Sequence, residues 1–433
     1  MKRIIISKTL LPSLAMVLTV NQTAFAQVFL FPEFLNFDEV IFGQSVSQSL
    51  VIKNQGDTAI VVGDINFSHS YFQVSDTSFS IDPNDSQIVV VIFSPQEQGA
   101  ADGTMSIFVN TPSDTILEVE LTGWTPIDLN VELVRNEFLM PISFNVQNSR
   151  EFLLHLRVSS ETNWAIPESE SAVLTIYIDS TYSFQNQDIV LFKGDELFVY
   201  KVSLGIIDSG SHTIEVYFNG DKSPPGAQFV FLDELSLVPI ALKSRDYDVF
   251  RFSPVLYGRD LVSEDESVHT DVPLLMWHEV DTVESDKWIE YSMIWSNEDG
   301  GTNSISLMSR WGRTTDIEWI YKVKIDHGGN VLEEYFQGPG HSTSYFQGNR
   351  INDHPVLKTV TMNNMVSDEG ESDYKFFLSP EKSKQEIHSR EILMDEDPWT
   401  YEIMALEMIA EGKYESPADP FSLAVSDARN YLY

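Results

Sequence analysis

Between residues 28 and 125, short runs of β-branched and apolar residues are cut by turn signals every 8–12 residues or so, and this rhythm constrains the fold more than any other feature. The runs are Val46–Asn54, Ala59–Phe67, Ile88–Phe93, Thr104–Val109 and Thr115–Leu121. Asn54-Gln55-Gly56-Asp57, Asp82-Pro83-Asn84-Asp85 and Gly99–Gly103 separate them, and these residue types turn a backbone at little steric cost. Strands this short and this evenly interrupted fit a two-sheet sandwich and leave no room for long helices.

The 433 residues include no cysteine, which excludes disulfides, thiolate catalysis and cysteine-based zinc or iron–sulfur sites. At the N-terminus, Lys2 and Arg3 precede the interrupted apolar stretch Leu10–Val20, and Ala24-Phe25-Ala26 stands before Gln27. That order predicts a secretory signal peptide over residues 1–26. Pro12 and Ser13 break the stretch, and no later segment approaches ~18 uninterrupted apolar residues, so no integral membrane segment is expected after cleavage. Cleavage removes Lys2, Arg3 and Lys8 and no acid, which makes the net charge of −38 more negative still. Such a surface repels phosphate backbones and argues against a nucleic-acid partner. The chain is long enough for roughly two to four domains.

The motifs of the first unit carry a resemblance. "LNFDEVIFGQSVSQSLVIKNQGDTAIVVGDI", "YFQV", "SIDPNDSQIVVVIFSP" and "GTMSIFVNTPSDTILEVELTG" resemble, in that order, the immunoglobulin-like domain of the ASPM–SPD-2–Hydin type. Similar domains occur in bacterial proteins of the choice-of-anchor D kind. The matching residues are Phe37, Gly43, Asn54, Gly56, Pro83, Phe93, Pro95, Gly99 and Gly123. The resemblance implies a binding or spacer module without an active site over 28–125.

Residues 127–240 hold further strand candidates, and "GSHTIEVYF…FLDELSLVPI" is similar to the last strands of jelly-roll carbohydrate-binding modules. Trp164, Tyr177, Tyr182 and Tyr200 are either a platform for sugar rings or core. From 241 the composition shifts, with six of eight Trp and six of nine His, so 241–433 is read as a third, β-rich domain. Across "SPVLYGRDL", "HTDVPLLMWHEV", "IEYSMIWSNEDGGTN", "RWGRTTDIEWIYKV" and "MDEDPWTYEIMALEMIAEG" the chain resembles a recurring exported bacterial module, covering 127–433, to which no activity is attached. Near its end Asp397 is placed as an N-cap, Pro398 as N1 and Gly412 as C′ around "WTYEIMALEMIAE". Trp399, Ile403, Leu406 and Ala410 are predicted on one face of that helix, with Met404 and Met408 beside them as core.

The densest chemistry lies in "WSNEDGGTNSISLMSRWGRTTDIEW", residues 295–319. Alternation predicts a strand over 288–296 and another over 316–325, the latter burying Ile317, Trp319, Tyr321, Val323 and Ile325. Between them a turn at Asn297–Gly301 precedes a short helix capped by Thr302 or Asn303 and ending at Gly312. The turn offers Glu298 and Asp299 as calcium ligands, although its Gly spacing departs from an EF-hand loop and a solvated acidic turn is the alternative. Asp316 and Glu318 share a strand face at about 6.5–7 Å, a separation used for glycoside hydrolysis. "TTDIEW" also resembles the Glu-x-Asp-x-Glu strand of laminarinase-like jelly-roll glycosidases. Thr314 stands where that family has its nucleophilic Glu, so the retaining mechanism does not transfer. The alternative is a salt-bridged strand face with Arg310, Arg313, Lys322 and Lys324.

None of His269, His278, His327, His341 and His354 has the spacing of a metal pair. The two copies of "YFQG", at 335–338 and 345–348, read as mirrored strand ends around a loop. There is no Gly-x-Ser-x-Gly, Walker or Gly-x-Gly-x-x-Gly element.

These readings combine into an all-β chain: tandem β-sandwiches, immunoglobulin-like then jelly-roll-like, followed by a β-rich C-terminal domain with one C-terminal helix. The expected function is that of a secreted or periplasmic binding protein contacting glycan or another surface polymer. It requires no cofactor, with Ca2+ as the one ion its acidic turn suits. A polysaccharide-acting enzyme with its site in 241–433 and a structural or assembly module are the alternatives. The expected ligand-binding cluster is Arg310, Arg313, Asp316, Glu318, His327 and His354, with the arginines keeping the acids ionised. The exported chain is expected to begin at or near Gln27; intact-mass spectrometry of exported protein checks this, and a chain starting at Met1 would refute it.

Overall fold

The computed structural model describes residues 28–110, 114–166, 168–179, 186–260, 272–283, 286–298, 304–385 and 389–410. The predicted signal peptide, Tyr182, His269, Asp299, the capping residues Thr302 and Asn303, and Gly412 lie outside these. The described chain is all-β in class, two sandwiches followed by a β-rich unit with a few short helices. Among the described residues no helix is long and apolar enough to cross a membrane.

In the first sandwich, Val28–Phe31, Val46–Asn54, Ser86–Phe93 and Phe72–Val74 form one sheet. Phe34–Glu39, Thr115–Thr125, Gly99–Asn110, Ile60–Phe67 and Phe79–Ile81 form the other. Alternation assigns the faces: Val89, Val91 and Phe93 enter the core while Ile88 and Val90 face water. The residues that carry the family resemblance have local work. The Asn54 amide, fully buried, donates to the carbonyls of Thr58 (2.8 Å), Ile81 and Asp82 (both 3.2 Å), and its oxygen accepts from the Gly56 N–H at 3.0 Å. It thus staples two turns. At Gly123 a Cβ would lie 2.7 Å from the Phe93 ring, which stacks on Phe72 at 4.9 Å, so a larger residue would displace the centre of the core.

The second sandwich packs the sheet Ile127–Val134, Phe229–Pro239, Arg150–Ser160, Phe198–Ile207 against Ile142–Val146, Gly210–Phe218, Val173–Ile178, Gln187–Val190. Of its candidate platform aromatics, Trp164 and Tyr200 are buried core and Tyr177 is half-buried. The C-terminal unit is built on a six-stranded sheet, Ser342–Tyr345, Val331–Gly338, Asp316–Ile325, Asp286–Trp295, Pro273–Val283 and Pro380–Lys382. A smaller sheet around Val255–Tyr257 and His354–Thr359 covers part of it. The helices are α1 (Tyr247–Arg251), α2 (Ser304–Trp311), α3 (Ile392–Glu396) and α4 (Trp399–Ala410).

Apolar packing runs without a break from the second sandwich into the C-terminal unit: Leu154, Ile176 and Leu237 share a core with Trp277, Ile317, Met394 and Ile403. The first sandwich keeps its own core. It is joined to the rest by a small apolar cluster, Trp124 on Leu153, Val238 and Ile240, and by a buried ion network. Arg150, fully buried, reaches Glu120 Oε1 at 2.7 Å and Asp102 Oδ2 at 3.3 Å. Asp102 also accepts the N–H groups of Gln147 and Asn148, each at 3.0 Å, and Glu120 those of Leu242 (2.9 Å) and Lys243 (3.0 Å). Removing one member of a buried ion network leaves an uncompensated charge, so Arg150→Ala is expected to destabilise by about 3–5 kcal/mol. Chemical denaturation followed by tryptophan fluorescence measures it; a loss under about 1 kcal/mol would mean the joint relaxes into water.

Candidate functional site

The dense stretch folds as a helix, a tight reversal and a strand. α2 ends at Gly312, whose φ of +69° continues the chain in the left-handed region that favours glycine. The helix is held by Met308, which packs with Met404 and Met408 of α4. The reversal drives Arg313, Thr314 and Thr315 inward, and all three are buried. Thr314 N–H points at Met404 Sδ (3.2 Å) and Thr315 Oγ1 at Met394 Sδ (3.3 Å), so the methionines are core, as expected.

Asp316 follows, 4% exposed. Its Oδ2 accepts from the Asn364 amide at 3.1 Å. Burial first, then the nearby Glu318 and Glu298 carboxylates, pushes its carboxyl well above the usual carboxylate range. The expectation that arginine keeps this acid ionised is therefore corrected. Arg313 turns to Glu391 Oε1 (3.1 Å) and to the Thr315 carbonyl, and its pull on Asp316 is outweighed by desolvation. Glu318 is partly exposed and bonded to Gln337 Nε2 (2.9 Å) and Arg390 Nη1 (3.1 Å). Asp316 is thus buried, while the neighbouring Glu318 is partly exposed and tied to Gln337 and Arg390.

The other sequence-predicted residues scatter. Arg310 is exposed on α2, with its guanidinium over the Trp311 ring at 5.7 Å. His327 is exposed in the hairpin turn at the opposite end of its strand from Asp316. His354 is buried at the seam with the second sandwich, Nδ1 3.0 Å from the Ser253 carbonyl and Nε2 3.4 Å from Glu151 Oε2. Of these histidines it is His341, not His327 or His354, that meets the acids, its Nδ1 3.7 Å from Glu318 Oε1. Glu298 is half-buried, its N–H donating to the Thr314 carbonyl at 3.1 Å, and its proposed partner Asp299 is outside the described residues. Among the described residues no three His, Asp or Glu side chains are placed to share a metal ion.

One strand departs from its predicted faces. A bulge opposite Tyr291 and Ser292 puts both Ile320 and Tyr321 in the core and leaves Trp319 half-buried.

A different set of side chains is brought together on the solvent face of the six-stranded sheet. Register pairs Tyr335 with Tyr345 and Trp288 with Lys324. The tyrosine rings lie 4.7 Å apart and Trp288 is 6.2 Å from Tyr335. Lys322 and Lys324 hold their ammoniums 5.2 and 5.9 Å from the Trp288 ring. Each lysine is also paired, Lys322 with Glu290 (2.9 Å) and Lys324 with Asp286 (3.1 Å). Tyr345 is 68% exposed. The echo of "YFQG" was the signal for this tract, because mirrored strand ends place the two tyrosines opposite one another.

Residues 25–115 match the family model ASH: Abnormal spindle-like microcephaly-assoc'd, ASPM-SPD-2-Hydin. The first sandwich is thus the domain its motifs resemble. The chain is similar to the ASH / PapD-like domain of human CEP192 (PapD-like domain 7), at 14% identity over 29% of this chain and 97% of that one, with a TM-score of 0.22. It is also similar to the YadV chaperone (10% identity, 49% of this chain and 99% of that one, TM-score 0.22) and to the E. coli chaperone DraB (9%, 50% and 97%, TM-score 0.22). No curated protein matches the chain.

The geometry of the dense stretch predicts how its variants behave. The folded-state pKa of Asp316 lies above its unfolded value. The residue therefore favours folding below the ordinary carboxylate range, and that contribution is lost as pH rises through the raised value. Asp316→Asn is accordingly expected to be at least as stable as the parent at neutral pH. Arg313→Ala, which strips a buried partner from Glu391, is expected to lose about 2–4 kcal/mol. Thermal melts across pH compare the two; an Asp316→Asn variant that is strongly destabilised at neutral pH would show that the carboxylate is needed charged.

Proposed function

We propose that the chain is an exported, non-catalytic binding protein that holds a glycan or a related surface polymer on the tract Trp288, Tyr335 and Tyr345. The supporting observation is the row of rings itself, with centroid spacings of 6.2 and 4.7 Å on an open sheet face. Flat aromatic faces suit the C–H faces of sugar rings, while the flanking Glu290, Glu333 and Lys322 offer acceptors and donors to hydroxyls. The lysines here already have acidic partners, so the tract favours a neutral polymer over an anionic one. An open face also suits a polymer better than a small molecule, since a chain runs across several strands without having to enter a cavity. In this reading the N-terminal peptide directs export, and the first sandwich spaces or attaches the binding unit.

The hydrolytic alternative loses its acid pair. Asp316 lies under Asn364, out of reach of a substrate, and Glu318 is tied to Arg390 and Gln337.

Affinity electrophoresis against a panel of neutral polysaccharides, with calorimetry on any hit, tests the proposal. Trp288→Ala and Tyr345→Ala are each expected to weaken binding by about tenfold. The exposed Tyr345 is expected to change stability by no more than about 0.5 kcal/mol when truncated. Undiminished binding by the double variant would overturn the assignment.

A further inference from the structure

The outer face of one sheet in the first sandwich is built unlike the rest of the surface. Val28–Phe31, Val46–Asn54, Ser86–Phe93 and Phe72–Val74 turn Leu30, Leu50, Ile52, Val89 and Val91 towards the core. The alternate positions face out, and several of them are apolar too: Phe31 is 73% exposed, Ile88 59%, Phe29 45% and Val90 42%. Register makes them one patch. Phe31, Val51 and Ile88 stand in a row across three strands, with Val90 and Ile92 further along the third. A single exposed apolar side chain is ordinary, but a contiguous set on one sheet face marks a surface that takes a partner.

The junction with the second sandwich leaves this face uncovered, since Asp102, Glu120 and Trp124 all belong to the other sheet. Charge narrows what covers it. The remaining outward positions of the four strands are Ser47, Ser49, Lys53, Ser86 and Gln73, so none is acidic, in a chain with 65 acidic residues. Glu33 and Asp85 stand just past the strand ends, at the rim. A basic partner is drawn to the acidic surface elsewhere. An equally acidic body approaches closely only where carboxylates do not oppose one another, and this face meets that condition. It is also self-complementary in shape: Phe29 and Phe31 project along one edge, while Ser47 and Ser49 keep the neighbouring strand low. A two-fold axis sets the rings of each copy over the serines of the other. We propose that the chain pairs through this face with a second copy of itself, sheet against sheet. Four strands ~4.8 Å apart make a face only roughly 20 Å wide, at the small end of specific interfaces, so the pair is weak and reversible.

Sedimentation velocity of the full exported chain over a wide range of concentration tests this, with a dimer expected as concentration rises. Added salt is expected to tighten the dimer by screening the repulsion between two acidic bodies. Phe31→Ser with Ile88→Glu, both at exposed positions, is expected to weaken it by about tenfold or more while leaving the melting temperature nearly unchanged. Because the chain has no cysteine, Ser49→Cys supplies a unique thiol. A bismaleimide is expected to link two such chains far faster than two that carry Glu118→Cys on the other sheet. A chain that stays monomeric, a dimer weakened by salt, full association in the double variant, or equal cross-linking at the two cysteines would each overturn the proposal. A monomer that instead binds phosphatidylcholine vesicles would assign the face to lipid and overturn it too.

Discussion

A guanidinium taken out of water holds the molecule together. Arg150 lies on a strand of the second sandwich, whereas Asp102 and Glu120 lie on paired strands of the first. Desolvating three ionised groups is expensive, and the arrangement is tolerable only because nearly every lone pair finds a donor. Backbone N–H groups supply those donors, from Gln147 and Asn148 before Arg150 and from Leu242 and Lys243 after the last strand of the second sandwich. An apolar patch would allow the sandwiches to slide, but a network of directed bonds accepts one geometry. The orientation of the first sandwich thus follows from these directed bonds together with the small apolar cluster of Trp124, Leu153, Val238 and Ile240 beside them.

The other junction is built differently. The second sandwich and the C-terminal unit share an apolar core, and α4 fastens them. Its buried positions are Thr400, Ile403, Met404, Glu407 and Met408, a stripe rotated from the predicted Trp399, Ile403, Leu406 and Ala410. The reason is Glu407, whose carboxylate accepts the indole N–H of the buried Trp164 and turns a charged position inward. Lys193 adds a bond to Glu402 at 2.5 Å. These contacts fix α4 against the second sandwich.

What was legible in the sequence was whatever depended on neighbours in the chain. The rhythm of the first sandwich, the stapling Asn54, the stop of α2 at Gly312 and the helix after Pro398 each follow from local sterics and hydrogen bonding. The fate of Asp316 did not, because it depends on its burial and on a bond from Asn364, 48 residues further along the chain. Nor did the bulge at Ile320, which shifts one residue without any Gly or Pro to mark it. His327 and His354 looked alike as candidates because sequence distance says little across a sheet: one ends in a hairpin turn, the other is sealed against Glu151. Likewise Glu381 and Lys382 are neighbours in sequence, yet pairing with Lys201 makes one unavailable and leaves the other open.

That last contrast bears on how an acidic chain selects ligands. With a net charge of −38, long-range potential disfavours any anion approaching the surface. Screening confines that repulsion to roughly 8–10 Å at ordinary ionic strength, so the local balance decides what is held once contact is made. Along the aromatic tract neither lysine is left free for an anion: Lys322 is matched by Glu290, and Lys324 by Asp286 with Glu333 beyond it.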